Sequence, residues 1–141
     1  MIEVFTIGFS GKKEAEFYSL LETAGVKKLV DIRLWRAPRF VPWASGGNLA
    51  EAIGERYIYI PELAPTKELL TGYKECVISW AGYERVFNEL LATRQVETLF
   101  DSGTLNGACF LCAEKSPDMC HRRLVAEYLA EKFPDAQITH L

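Results

Sequence analysis

A cluster of thiol, acidic, imidazole and guanidinium side chains lies between positions 112 and 123 of the chain. Cys112 and Glu114 are two residues apart, so a strand places them on the same face. Cys120 and His121 follow, and neighbouring cations favour the thiolate form of a cysteine, which is the nucleophilic form. We therefore predict a catalytic group of Cys112, Glu114, Cys120 and His121. Cys120 is the expected nucleophile or the redox partner of Cys112, while Glu114 or His121 transfers protons.

Two further polar segments follow apolar stretches and are expected to bind the substrate. Ser10 comes soon after Gly8, at the end of the first apolar segment, and Asp31 and Arg33 end the second one. Because the carboxyl ends of parallel strands lie at one edge of a sheet, these groups are expected to converge on a single crevice. Ser10, Asp31, Arg33 and Arg122 are the predicted substrate-binding residues, and the expected ligand is small and anionic or nucleotide-like.

Arginine and aromatic residues alternate between positions 33 and 43, which is also typical of a surface that binds nucleic acid. Arg33, Arg36 and Arg39 accompany Trp35 and Phe40 there. This pattern gives an alternative interpretation, a nucleotide or nucleic-acid binding module without catalysis. A second interpretation of the same segment is an ion pair between Asp31 and Arg33 that only fixes the loop.

The cysteines also allow a metal-binding interpretation. Cys109 and Cys112 are three residues apart, so a strand directs them to opposite faces and they cannot share an ion. A site formed by Cys112, Cys120 and His121 remains as a further alternative. The preferred interpretation includes neither a metal ion nor a cofactor. Cys76 and Cys109 are predicted to be ordinary core residues.

The elements that must position these residues alternate between strand and helix. Strands are predicted at 2–7, 28–33, 57–60, 108–113 and 138–141. Helices are expected after Ser10 and Asn48, at 66–73, around 83–91, and from Ser116-Pro117 to about Lys132, with Pro117 in the first turn. This order predicts a single α/β domain over residues 1–141, with a mostly parallel open sheet and helices on both faces.

The composition is that of an ordinary globular protein. The 141 residues are 49% hydrophobic and carry a formal net charge of -3, which gives no overall basic field for nucleic acid. No apolar stretch approaches the roughly 20 residues of a membrane span. Four cysteines are too few for the disulfide framework of a small secreted scaffold, so we expect a cytoplasmic protein with reduced thiols and no membrane partner.

Three motifs, in this order, resemble the "domain of unknown function 488" family. They are Thr6-Ile7-Gly8-Phe9-Ser10, then Leu29-Val30-Asp31-Ile32-Arg33, and then Cys112-Ala113-Glu114 with Cys120-His121-Arg122. The last motif is the specific one, and the likeness extends over nearly the whole chain. The resemblance supports the α/β fold and the position of the site, and it implies no particular reaction.

Overall fold

Five short apolar segments form one sheet in which every pair of neighbouring strands is parallel. The structure, a computed structural model, describes residues 1–141. The strands are β1 (Ile2–Gly8), β2 (Lys28–Asp31), β3 (Tyr57–Tyr59), β4 (Ala108–Cys112) and β5 (Ala136–His140). They lie in the order β3-β2-β4-β1-β5, so β4 and β1 occupy the interior of the sheet. The predicted α/β class and parallel sheet are confirmed.

Six α-helices connect the strands and cover both faces of the sheet. They are α1 (Glu14–Ala24), α2 (Gly46–Ile53), α3 (Lys67–Lys74), α4 (Trp80–Arg94), α5 (Ser102–Leu105) and α6 (His121–Lys132). None of them is both long enough and apolar enough to cross a membrane.

The alternation of side chains along the strands produces two separate hydrophobic cores. Val4 of β1 and Phe110 of β4 face one core, which α3, α4, α5 and α6 complete. Phe5 and Leu111, each one residue along, face the second core with α1 and α2. Cys109 is fully buried in this second core, so its predicted role as a core residue is confirmed.

Three predicted helix starts are wrong, because local backbone contacts outcompete the expected caps. Ser10 does not cap α1, which begins after Lys13; its amide instead donates to the carbonyl of Ala113. Asn48 lies inside α2, and Ser45 is the residue whose side chain caps that helix. At the start of α6, the hydroxyl of Ser116 accepts a hydrogen bond from the amide of Asp118 and forms a turn.

The delayed start of α6 changes the position of a predicted catalytic residue. Pro117 precedes the helix, and Cys120 is its N-cap residue with extended backbone angles. Cys120 therefore lies at the helix boundary and not one turn inside it.

The prediction of a core position for Cys76 is wrong. Cys76 lies in the connection between α3 and α4, where its φ of 61° is in the left-handed region, and its side chain is exposed. Sequence composition alone favours burial of a free cysteine, but the turn that separates these helices places this one in solvent.

Candidate functional site

The carboxyl ends of β1, β2 and β4 meet at one edge of the sheet. Gly8 pairs with Cys112 in the register between β1 and β4, and Asp31 pairs with Leu111 between β2 and β4. The last residues of these three strands are therefore neighbours. This arrangement brings the three polar segments to the same end of the sheet, as expected for a parallel α/β architecture.

Cys112 and His121 are in direct contact. The Sγ atom of Cys112 lies 3.3 Å from Nδ1 of His121, and Nε2 of the same ring lies 2.8 Å from the carbonyl oxygen of Ile32. A carbonyl oxygen only accepts, so Nε2 carries a hydrogen and donates it. Nδ1 is then an acceptor in the neutral ring, and the short contact with Sγ requires one proton between the two atoms.

Cys120 adds a second thiol to this pair. Its Sγ, that of Cys112 and a ring nitrogen of His121 lie within 4.8 Å of one another, and all three residues are buried. A hydrogen bond from the Cys120 thiol holds the pKa of Cys112 below its ordinary value, with help from the amides of Ala113 and Glu114 and against the effect of burial. The same hydrogen bond, with burial, raises the pKa of Cys120. Of the two thiols, Cys112 is therefore the easier to deprotonate, and the thiolate is the nucleophilic form of a cysteine.

Arg122 is a buried cation without a carboxylate partner. It is fully buried, and its guanidinium donates to the backbone carbonyls of Glu114 and Lys115. Its Nε atom is buried without any hydrogen-bond partner. Arg122 thus fixes the backbone that follows β4, and its positive charge contributes to the lowered pKa of Cys112.

Asp31 and Arg33 form a buried ion pair, so the contact expected by the second interpretation of that segment is present. Nη2 and Nε of Arg33 lie 2.8 and 2.9 Å from the Asp31 carboxylate, and Nη1 donates to the carbonyl of Ala44. The hydroxyl of Tyr57 donates to the same carboxylate at 2.5 Å. Burial and this hydrogen bond raise the pKa of Tyr57 to about 12, so the phenol keeps its proton. The network fixes the end of β2, immediately before Ile32.

A cavity of about 270 Å³ opens beside the thiols, and most of its lining residues are hydrophobic. Cys112, Cys120 and His121 belong to its lining. An aromatic wall belongs to it as well: Trp80 and Tyr83 of α4 are stacked with ring centroids 5.0 Å apart, and Lys74 lies over the ring of Trp35. Its volume lies just below the roughly 300–1,000 Å³ that is typical of ligand sites.

The predicted site residues differ in their position relative to this cavity. Its lining includes five of the eight, namely Cys112, Glu114, Cys120, His121 and Arg33. Asp31 and Arg122 are fully buried behind the lining, where each is engaged in the contacts described above. Ser10 is half-buried and is bonded through its amide to Ala113. The roles predicted for these residues in binding and catalysis remain predictions.

The three arginines of the aromatic segment differ in their exposure to solvent. Arg33 is only 4% exposed. Arg36 packs on the ring of Tyr59, with 3.8 Å from the guanidinium carbon to the ring centroid, and donates to the Tyr57 hydroxyl. Of the three arginines, only Arg39 is exposed. A binding surface for nucleic acid would therefore depend on Arg39 with the exposed Trp35 and Phe40.

The aromatic wall and Lys74 are site residues that the sequence did not reveal. Trp80 and Tyr83 are three residues apart, which is the spacing of one face of a helix, and Tyr83 is indeed buried in the core. Nothing in their spacing distinguishes an aromatic side chain that fills a core from one that also lines a cavity.

The different exposure of the cysteines predicts which thiols a reagent labels first. A bulky maleimide is expected to modify Cys76 rapidly in the folded protein and Cys109 only after unfolding, because Cys76 is exposed and Cys109 is fully buried. Mass spectrometry of peptides from protein labelled with and without denaturant measures both. Rapid native labelling of Cys109 would contradict its place in the core, and the Cys76→Ser variant provides the control for the exposed thiol.

Comparison with known proteins gives one match. The family model described as "Domain of unknown function DUF488" matches residues 13–129. No curated protein matches the chain, and no solved structure does. The matched region contains Asp31, Arg33 and the whole cluster from Cys112 to Arg122.

Proposed function

The chain belongs to the DUF488 family, and from this premise we propose that it is a cysteine-dependent enzyme in which Cys112 is the nucleophile. The observation that carries the proposal is the 3.3 Å contact between Cys112 Sγ and His121 Nδ1, with the ring held from behind by Ile32. A nucleophile, a base and a group that orients the base form the arrangement typical of covalent catalysis. We assign the role of nucleophile to Cys112 and not to Cys120, because the sulfur of Cys112 is the one that contacts the ring nitrogen of His121.

The proposed reaction is a nucleophilic substitution through a covalent intermediate. Nδ1 of His121 takes the proton of the Cys112 thiol as Sγ bonds to an electrophilic carbon of the substrate. The bond from that carbon to the leaving group breaks, and the leaving group accepts the proton from Nδ1. Water, deprotonated by the same nitrogen, then attacks the carbon and releases Cys112 as a thiol.

The proposed substrate is small and anionic with a flat apolar part. The aromatic wall suits the apolar part, and Lys74 supplies a cation at the cavity. The cation of Arg33 is already paired with Asp31 at 2.8 Å. Lys74 is therefore the cation available to an anionic group of the substrate.

Iodoacetamide provides a carbon electrophile that tests the nucleophile. In the Cys76→Ser protein we expect Cys112 to react at least tenfold faster than Cys109. We expect His121→Ala to slow the reaction by about tenfold or more, because loss of a positioned base typically costs at least that much. Peptide mass spectrometry at successive times gives the rates.

His140 provides a matched control, because it is the other histidine of the chain, lies on the outer strand β5, contacts Thr6 of β1 and does not line the cavity. His140→Ala is expected to leave the rate at Cys112 unchanged. Native protein in which Cys112 remains unmodified while unfolded protein reacts fully would overturn the proposal. Equal rates in the two histidine variants would remove His121 from the mechanism.

The charge preference of the cavity has a separate test. Iodoacetate and iodoacetamide are similar in size but only iodoacetate is anionic. Relative to free N-acetylcysteine, we expect Cys112 to favour iodoacetate, and Lys74→Met to remove this preference. Lys67→Met, an exposed lysine on the same helix that does not line the cavity, is the control. A preference that survives Lys74→Met would exclude Lys74 as the binding cation.

A further inference from the structure

We infer that Cys112, Cys120 and His121 also form a binding site for a thiophilic divalent cation of the zinc type. Two thiols and one imidazole nitrogen lie within 4.8 Å of one another. Thiolate and imidazole are the ligands that zinc prefers, whereas Mg²⁺ and Ca²⁺ prefer oxygen.

The spacing of the ligand atoms fits a tetrahedral ion with little movement. With Zn–S about 2.3 Å and Zn–N about 2.0 Å, tetrahedral geometry requires roughly 3.5 Å between a sulfur and a nitrogen ligand. The distance between Cys112 Sγ and His121 Nδ1 is 3.3 Å. Two sulfur ligands require roughly 3.8 Å between them by the same geometry, and the cluster lies within 4.8 Å.

The histidine is already in the form that a metal ion requires. Its Nε2–H donates to the carbonyl of Ile32 at 2.8 Å, which leaves the lone pair of Nδ1 directed towards the thiols. Metal-bound histidines commonly hold their second nitrogen in this way, and the contact fixes both the tautomer and the orientation of the ring. Binding therefore needs no reorientation of His121.

Three protein ligands leave one position of a tetrahedral ion open. All three residues line the 270 Å³ cavity, so the open position faces a space that admits a water molecule or a small ligand. Structural zinc sites normally have four protein ligands, while three ligands and an open position are typical of exchangeable or catalytic sites. The cavity also provides the path by which the ion enters.

An ion bound here would withdraw Cys112 from reaction with electrophiles. The cation site thus regulates the proposed enzyme, and this consequence rests on the proposed function. Binding of the ion itself depends only on the three ligands. The two ideas can therefore fail separately.

Cobalt(II) titration of the reduced Cys76→Ser protein tests the site directly. We expect one Co²⁺ per chain, with the intense near-ultraviolet absorption of cobalt–thiolate bonds, and displacement of the cobalt by Zn²⁺. Cys120→Ser and Cys112→Ser in the same background are expected to weaken binding at least tenfold, while Mg²⁺ produces no displacement. Circular dichroism verifies that each variant is folded.

Each outcome of these measurements either supports or overturns the inferred metal site. A spectrum without cobalt–thiolate absorption overturns the site, and so does absorption that persists undiminished in folded Cys112→Ser. If a ligand variant does not fold, the test is the melting temperature of the Cys76→Ser protein. One equivalent of Zn²⁺ is expected to raise that temperature. Absence of that increase overturns the site.

Rapid iodoacetamide labelling of Cys112 without cobalt binding would reject the metal site and keep the proposed function. Cobalt binding without such labelling would reject the proposed function and keep the metal site.

Discussion

Replacing Gly8 by alanine is expected to lower the free energy of unfolding by about 3 kcal/mol or more, the upper end of the cost of overpacking. A β-carbon at this position would overlap the carbonyl group of Glu114 and Nη1 of Arg122. Neither neighbour can withdraw easily, because one is backbone and the other is a fully buried guanidinium bonded to that backbone. Chemical denaturation of the two proteins measures the difference.

Gly47→Ala is the matched control for this substitution. Gly47 is exposed in α2, and no atom lies within 4 Å of the position that its β-carbon would take. Alanine is the better helix former by about 1 kcal/mol, so this variant is expected to be as stable as the native protein or slightly more stable. Equal stability of Gly8→Ala and the native protein would contradict the close approach of the two backbone segments.

Asp31→Asn is expected to destabilise the protein by about 3–5 kcal/mol, the cost of leaving one member of a buried ion pair without its partner. The Arg33 side chain is only 4% exposed, so water cannot replace the lost carboxylate. Denaturant titration at neutral pH measures the effect. Because the ion pair fixes the end of β2 before Ile32, we also expect slower labelling of Cys112 in the folded fraction.

Glu84→Gln is the comparison for this prediction. Glu84 pairs with Arg123 at 3.4 Å, but its side chain is 39% exposed. Surface ion pairs contribute about 0–1 kcal/mol, so the change in stability is expected to be small. If the two substitutions had equal effects, the pair of Asp31 and Arg33 would not be the buried interaction described above.

The sheet and the edge that carries the site could be predicted because both depend on local patterns. Short apolar segments separated by amphipathic helices specify parallel strands. Polar residues that directly follow such segments, such as Arg33 after β2 and Glu114 after β4, must then lie at the carboxyl edge. The ion pair of Asp31 and Arg33 could also be predicted from the sequence, because residues two apart in an extended segment share a face.

The assignment of roles within the site could not be predicted, because it depends on contacts between distant segments. Sequence pattern placed the helix start at Pro117, but Ser116 forms a turn and α6 begins at His121. This difference of four residues moves Cys120 to the helix boundary. The contact of His121 with Ile32 and the wall formed by Trp80 come from segments far away in the chain, and no local spacing indicates them.

The hydrogen bond between His121 and Ile32 joins residues 89 positions apart, so it exists only in the folded chain. Bringing such distant residues together has an entropic cost, because the intervening chain must be ordered. A growing polypeptide in which α6 has not yet been synthesised carries Cys112 as an ordinary thiol, without an oriented imidazole beside it. The proposed reactivity of Cys112 is therefore a property of the folded chain, because only folding places the oriented imidazole beside the thiol.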